Sequence, residues 1–268
     1  MQKVAQEIYD RIDNDFYGSD REGWWQPDSS LFMILRSLNP ARVGYLERKL
    51  FGVLRLDPRG KKALEVGCGG GMLCEEIARF GFETAGIDPS ERSIAIAQRH
   101  AQSGGLAIAY RTGAGEALPY PDRSFDAVFC CDVLEHVRDL PKVVSEISRV
   151  LKPGGVFCYD TINRTLVSKL VVIDLAQRWR SFAFLPPNLH VWEMFIRPRE
   201  MKSLLARNRL IWQEHRGLKP NASPFTVLRY LRRRARGEIG YRELSDKLGL
   251  VESGNIWMMY LGYALKER

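Results

Sequence analysis

The stretch Ala63-Leu64-Glu65-Val66-Gly67-Cys68-Gly69-Gly70-Gly71-Met72-Leu73, with Ala85-Gly86-Ile87-Asp88 after it, decides the fold. An apolar run from Ala63 to Val66 enters the glycines, and an alternation suited to a helix (Met72, Leu73, Ile77, Ala78) leaves them, so the segment reads as strand, glycine turn, helix. Glycines lack the Cβ that would hold a ligand away, and a helix start aims free N–H groups at whatever sits there. Ala85 to Ile87 forms the tail of a second strand. Asp88 at its carboxyl end follows about twenty residues on, where a doubly wound sheet presents an acid to ribose hydroxyls. A tight turn with a solvent-facing acid would explain one glycine but not Gly67, Gly69, Gly70 and Gly71 together.

That glycine order meets the dinucleotide pattern G-x-G-x-x-G only loosely. Glu65 discriminates between cofactors, because a carboxylate just before the glycines repels a pyrophosphate but favours a cationic sulfonium and its ammonium group. The expected cofactor is therefore S-adenosylmethionine, with Glu65, Gly67, Gly69 and Asp88 at its site. Farther on, Gly115 to Pro119 reads as a polar loop and Ser124 to Cys130 as a buried strand. Glu116 in that loop is placed to approach an adenine amino group, or else is a solvated loop acid. Leu151 to Gly155 reads as a helix stop with a proline–glycine turn, and Val156 to Tyr159 as the next strand. The alternation resembles the sheet of class I methyltransferases. It implies a Rossmann-like α/β fold, a mainly parallel seven-stranded sheet with helices on both faces.

Residues 1 to about 60 look helical, with breaks at Gly18, Gly23, Pro27 and Asn39-Pro40, and are expected to form an arm (1–60) ahead of one domain (61–268). An insertion is expected at about 161–198, then a helix from Arg199 to Leu205 and the last strands from residue 211 onward, with Ile256 to Ala264 closing the sheet. The 268 residues, 45% hydrophobic, suffice for one sizeable core. No stretch approaches the eighteen or so apolar residues of a spanning helix, and Met1 to Glu7 runs into charge, so a cytoplasmic protein is expected. Cys68, Cys74, Cys130, Cys131 and Cys158 form no C-x-x-C pair and read as small core residues.

The net charge of +8 is unevenly spread. Arg229, Arg232, Arg233, Arg234 and Arg236 surround Tyr230 and Leu231, while Lys169, Arg178 and Arg180 accompany Val171, Ile173, Leu175, Trp179 and Phe182. Either segment suits a helix lying in an anionic membrane interface, or a lid whose apolar stripe packs on the domain. Nucleic acid is not the expected partner. An amino-methylating enzyme of DNA carries an Asp/Asn-Pro-Pro-Tyr loop where this chain reads Cys131-Asp132-Val133-Leu134, and no proline–cysteine nucleophile pair is present. A non-catalytic cofactor-binding subunit remains a third reading. Oligomeric state is not legible.

Several further segments resemble the O-methyltransferases of ubiquinone biosynthesis, which methylate catechol-type hydroxyls on polyprenylated rings. They are Trp24-Trp25, the N-P-x-R-x-x-Y stretch Asn39 to Tyr45, Leu134-Glu135-His136-Val137, Asn163-Arg164, and Phe195-Ile196-Arg197-Pro198. The likeness covers most of residues 20 to 200. It implies a small aromatic, prenylated acceptor, peripheral contact with the inner face of a membrane, and cofactor contacts from Arg42, Gly67, Asp88 and Cys131. Arg42 would reach the cofactor carboxylate through its guanidinium fork. The chain departs from the family at Ile34-Leu35, at Gly217 to Asn221, and along the basic segment from about Arg229 to Gly249.

Methyl transfer needs the nucleophile held in line and a phenolic proton removed near neutral pH, against an ordinary phenol pKa of about 10. Of four histidines, His136 is the leading base, since it follows the strand ending at Cys131 on the cofactor side of the sheet. His190 ranks second, and His100 and His215 are less well placed. His136 would otherwise brace the cofactor loop. Glu135 stands beside it as the other candidate catalytic residue. If the chain turns helical after Cys131, Asp132, Glu135 and His136 fall at i, i+3 and i+4 on one face. Two carboxylates and an imidazole there would hold a divalent ion, or the acids would complement a helix dipole. The family resemblance implies magnesium-assisted deprotonation at this loop.

Overall fold

The computed structural model describes residues 4–18, 23–25 and 32–268, apart from the side chains of Met33 and Ile34. The break expected at Pro27 and the departure at Ile34 fall outside this description. Before the sheet come α1 (Gln6–Tyr9), α2 (Asp15–Gly18) and α3 (Phe32–Glu47), which continues into a π-helical segment, Arg48–Val53. The break expected at Asn39-Pro40 does not occur, since Pro40 lies inside α3. Proline there removes one helical N–H. The helix is held instead by burial of Leu38, Tyr45 and Leu46 against the sheet.

The central units are β1 (Lys62–Val66), α4 (Met72–Arg79), β2 (Glu83–Asp88), α5 (Glu91–Ser103), β3 (Ile108–Thr112), β4 (Phe125–Cys130), α6 (Leu140–Val150) and β5 (Leu151–Ile162). After β5 come α7 (Leu166–Ser168), a π-helical segment (Lys169–Arg178), α8 (Pro198–Arg207), β6 (Leu210–Pro220), α9 (Pro224–Ala235), α10 (Tyr241–Leu248), β7 (Leu250–Ser253) and β8 (Met259–Lys266). The strand order is β3-β2-β1-β4-β5-β8-β6-β7. The pairs from β3 to β5 are parallel, and those of β5 with β8, β8 with β6 and β6 with β7 are antiparallel.

The sheet has eight strands where seven were expected. The additional one, β7, pairs with the end of β6 from Gly217↔Ser253 to Pro220↔Leu250. The α9–α10 hairpin leaves the end of β6 and returns beside it before β8 begins, and that return is β7.

Successive side chains of a strand face opposite sides, so a parallel strand covered on both faces is apolar throughout. Leu64, Val66, Val128, Cys130, Phe157 and Tyr159 pack on one side with α6 and α8. Ala63, Ala127, Phe129, Val156 and Cys158 pack on the other with α3 and α4. Each fully buried aliphatic or aromatic side chain stabilises by about 1.5–3 kcal/mol, which makes this double core the main source of fold stability. The strand order reverses between β1 and β4, opening a crevice at the carboxyl ends of those strands.

The apolar stripe of the insertion is divided, since Leu170 and Trp179 are exposed while its other side packs inward. Ile173 packs with Ile162 and Phe195, and Val172 lies against them. Phe182 and Phe184 join Tyr230, Leu231, Ile239 and Leu244 in a satellite core, tied by Tyr241 Oη donating to the Phe184 carbonyl (2.9 Å). The insertion and the α9–α10 hairpin thus form one roof.

Candidate active site

The glycine turn leaves β1 with Gly67 at φ +76° and Gly69 at φ +49°, a region costly for any residue with a side chain. A Cβ at Gly67 would overlap Val133, and one at Gly69 would overlap the Trp24 indole. Asp88, at the end of β2, accepts from the Gly69 N–H with Oδ2 and from the Ser90 N–H with Oδ1, both at 2.9 Å. Burial raises its pKa against those two bonds. Glu65 is buried with Oε2 unpartnered, and burial pushes its pKa up to about 8. An orphaned carboxyl oxygen of this kind is costly unless a cation or donor arrives.

These groups line a cavity of about 760 Å³, and Arg42, Glu116 and Cys131 share its wall. All seven residues expected at the cofactor therefore face one space. Glu116 Oε1 lies 3.5 Å from the Asp139 N–H. Burial holds the Cys131 thiol well above the ordinary pKa, so it contributes bulk rather than charge. The unpartnered Glu65, the acid at the end of β2 and the glycine cradle fit a ligand carrying an ammonium group and a ribose.

Arg42 is more heavily engaged than a free fork. Its Nε donates to Asp160 Oδ2 (2.6 Å), its Nη1 to Asn39 Oδ1 (2.9 Å), and its Nη2 to Asp132. Burial alone would lower its pKa, but the two carboxylates carry it well above the usual value. Five guanidinium N–H groups less these three leave two for a ligand.

The chain does not turn helical after Cys131. Asp132 takes a left-handed conformation (φ +54°) and its N–H donates to Asp160 Oδ1 (2.8 Å). Asp132, Glu135 and His136 consequently diverge. Asp132 turns to Arg42, His136 to Asn14, and Glu135 into the interior, where Oε2 accepts from Thr161 Oγ1 (2.8 Å). Burial raises the Glu135 pKa, and Glu135 lines neither the cofactor cavity nor the apolar one beside it. Among the described residues, no three His, Cys, Asp or Glu side chains gather as metal donors. The proposed ion set does not fit, because one acid neutralises an arginine and the other is locked behind the loop.

His136 lines the glycine-turn cavity. Asn14 Nδ2 donates to the His136 carbonyl (3.2 Å), which fixes the amide so that Oδ1 must accept from the ring at Nδ1 (3.2 Å). The proton then resides on Nδ1 and the Nε2 lone pair is free. Burial keeps the imidazole neutral, lowering its pKa to about 4 against the opposing pull of Asp132. Tyr17 meets the ring edge-on at 5.5 Å.

His136, Tyr17, Leu35 and Asp132 also line a second cavity of about 240 Å³. Its other walls are mainly apolar, among them Ile162, Val172, Leu185, Leu231 and Met259. The π-helical insertion and α9 supply its roof. His190, the second candidate, lines this cavity with its ring centroid 5.1 Å from that of His136. His100 and His215 line neither. His100 Nδ1 contacts Glu75 (2.5 Å), with its ring stacked on Trp25, and His215 Nε2 meets Tyr159 Oη (2.8 Å).

Sequence reasoning missed Asn14, Tyr17 and Trp24 as site residues. No spacing rule ties an arm residue to a loop more than a hundred positions away. Only the paired tryptophans carried a signal, as a family resemblance.

The description "Methyltransferase domain" matches residues 64–159. The chain is 34% identical over 219 residues to a ubiquinone biosynthesis O-methyltransferase from Brucella anthropi, covering 78% of this chain and 86% of the relative. It is 32% identical over 230 residues to one from Rhizobium johnstonii, covering 82% and 90%. Among solved structures, the YcgJ protein of Bacillus subtilis superposes with a TM-score of 0.58 at 19% identity, over 84% of this chain and 98% of that one, a likeness of fold.

Proposed function

We propose that this chain, which belongs to the ubiquinone biosynthesis O-methyltransferase family, methylates a ring hydroxyl of a quinone precursor bearing an apolar substituent. It is an S-adenosylmethionine-dependent methyltransferase. One observation carries the acceptor reading: His136, neutral and with a free Nε2, lies on the wall shared by the polar glycine-turn cavity and the apolar cavity. A phenol carrying an apolar group would sit with its hydroxyl at that wall.

In this reading Glu65 would hold the cofactor's ammonium group, Asp88 the ribose hydroxyls, Glu116 the adenine amino group, and the remaining N–H groups of Arg42 the carboxylate. Gly67 and Gly69 allow close backbone approach, and Cys131 fills the wall. Bound S-adenosylmethionine supplies a methyl group made electrophilic by its sulfonium. His136 Nε2 accepts the phenolic proton as the oxygen becomes the nucleophile, a role worth about 10²–10⁴ in rate. Asn14 holds the imidazole in the tautomer that can accept. Trp24 and Tyr17 cover the site from the arm and exclude water, so that the hydroxyl is held in one orientation. Glu135 and a metal ion have no step here.

Contact with an anionic membrane, expected at the insertion where Leu170, Trp179, Arg178 and Arg180 are exposed, is part of the proposal, and α9 offers a second surface suited to it. Phe225, Leu228, Arg229, Arg232 and Arg236 recur at helical spacing and are exposed, Phe225 by 76%. The opposite face of α9, with Val227 and Leu231, walls the apolar cavity. A helix that is apolar and basic outside and lines the acceptor cavity inside suits a lipid surface. Among the described residues no helix is long and apolar enough to cross a membrane.

Mass spectrometry of quinone intermediates in cells lacking this protein tests the reading. Accumulation of an unmethylated ring bearing an apolar tail is expected, and an unchanged quinone profile would overturn it.

A further inference from the structure

We infer that the acceptor's apolar substituent is enclosed only near the ring, and that its remainder leaves the cavity across the rim where β5 ends and β8 begins, onto an exterior ledge made by Leu166, Leu170 and Trp257. This deepens the acceptor reading above and rests on it. The apolar cavity has a volume of about 240 Å³. A dry cavity of about 150 Å³ holds one benzene ring, so the acceptor ring fills more than half of this space and leaves room for a short stub alone. A longer substituent must leave.

The roof offers it no way out, because Phe182 and Phe184 of the insertion pack there against Tyr230 and Leu231 of α9. On the arm side Tyr17 stands edge-on to His136, where the reacting hydroxyl would sit. The rim is different. Met258 and Val171 line the cavity yet are only half-buried, and their chain neighbours Trp257 and Leu170 are exposed by 62% and 54%. Leu166, one helical turn before Leu170, is exposed by 78%. Thr165 Oγ1 donates to the Trp257 carbonyl (2.6 Å) and Asn163 Nδ2 to the Ile256 carbonyl (2.7 Å), which ties the two segments side by side. Fixed backbone thus holds three large apolar side chains out in water. A single exposed leucine needs no explanation, but a ledge on two joined segments, continuous with an apolar cavity, suits an apolar ligand that extends from it.

The test compares kcat/KM, without lipid or detergent, for catechols carrying a methyl, a prenyl or a geranyl group. In the wild type the value should rise from methyl to prenyl as the cavity fills, and again by about tenfold to geranyl, chiefly through KM. Leu166→Ser combined with Leu170→Ser, and separately Trp257→Ser, should remove most of the second rise and keep the first, whereas Phe225→Ser on the outer face of α9 should keep both. No second rise in the wild type, a second rise retained in the ledge variants, or its loss in the α9 variant instead would overturn the proposal. Ledge variants that keep the geranyl gain but no longer sediment with anionic liposomes would make the ledge a membrane face alone, and ones that keep it but change sedimentation velocity would make it a contact between copies; either result overturns the tail path. A wild type that methylates none of the three while the cofactor binds normally would instead overturn the acceptor reading on which it rests.

Discussion

Arg42 Nε lies 2.6 Å from Asp160 Oδ2, joining α3 to β5 across 118 positions of sequence at a site where both side chains are almost wholly buried. The same guanidinium holds Asp132, so one arginine neutralises two interior carboxylates. Removing one partner of a buried ion pair costs about 3–5 kcal/mol, because an uncompensated charge is left behind. Arg42→Ala should therefore lower stability by at least that range in urea unfolding. An unchanged midpoint would show that the cluster contributes nothing net.

Asp88 braces the glycine turn through the Gly69 N–H, lines the cavity there, and is proposed to meet the ribose hydroxyls. Loss of hydrogen bonds to a charged group costs about 1.5–3 kcal/mol, so Asp88→Ala should weaken S-adenosylmethionine at least tenfold in calorimetry. Unaltered affinity would remove Asp88 from the cofactor site.

Glu65 has a pKa of about 8 in the free protein, so at pH 7 it is mostly protonated, and a cationic partner would ionise it. Cofactor binding at pH 7 should then release up to one proton, read as a dependence of binding enthalpy on buffer ionisation heat. Glu65→Gln should abolish that release and weaken binding. Binding without proton release in the wild type would mean that Glu65 does not meet the ammonium group.

His136→Ala should reduce turnover on a phenol about a hundredfold and leave cofactor affinity nearly unchanged. The linked effect on stability has a defined sign. The folded imidazole titrates near pH 4 and the unfolded one near about 6.5, so the unfolded chain takes up the proton first as pH falls. Stability should decline by about 1.4 kcal/mol per pH unit through that window on account of this group, and His136→Asn should flatten the decline. Full activity of the alanine variant would discard the base.

The outer face of α9 should bring the protein down with anionic liposomes more than with neutral ones, each basic residue near the surface contributing about 1 kcal/mol. Replacing Arg229, Arg232 and Arg236 by Gln should reduce co-sedimentation and spare methylation of a short soluble phenol. Equal recovery on both liposome types would leave α9 as a roof alone.

The parallel half of the sheet, the glycine turn and the acid after β2 were legible in the sequence because each is set by neighbours in the chain. Apolar runs mark strands covered on both faces, and only glycine accepts the φ values at positions 67 and 69. For the same reason Glu65, Gly67, Gly69 and Asp88, which line one cavity, could be expected together from the sequence. Contacts distant in sequence decided the rest. The i, i+3, i+4 spacing of Asp132, Glu135 and His136 suggested a shared face, but Arg42 and Asp160 pin Asp132 in a left-handed turn that sends the three side chains apart. The stripe from Val171 to Phe182 read either as a membrane face or as a packed lid, and the structure divides it: Ile173 and Phe182 pack inward while Trp179 stays exposed. Asn14, which holds the His136 ring, and His190, whose ring lies 5.1 Å from that of His136, are brought to it only once the arm and the insertion have folded over β4. A local pattern fixes backbone and face; which side chains meet across the crevice is settled by packing that no sequence interval encodes.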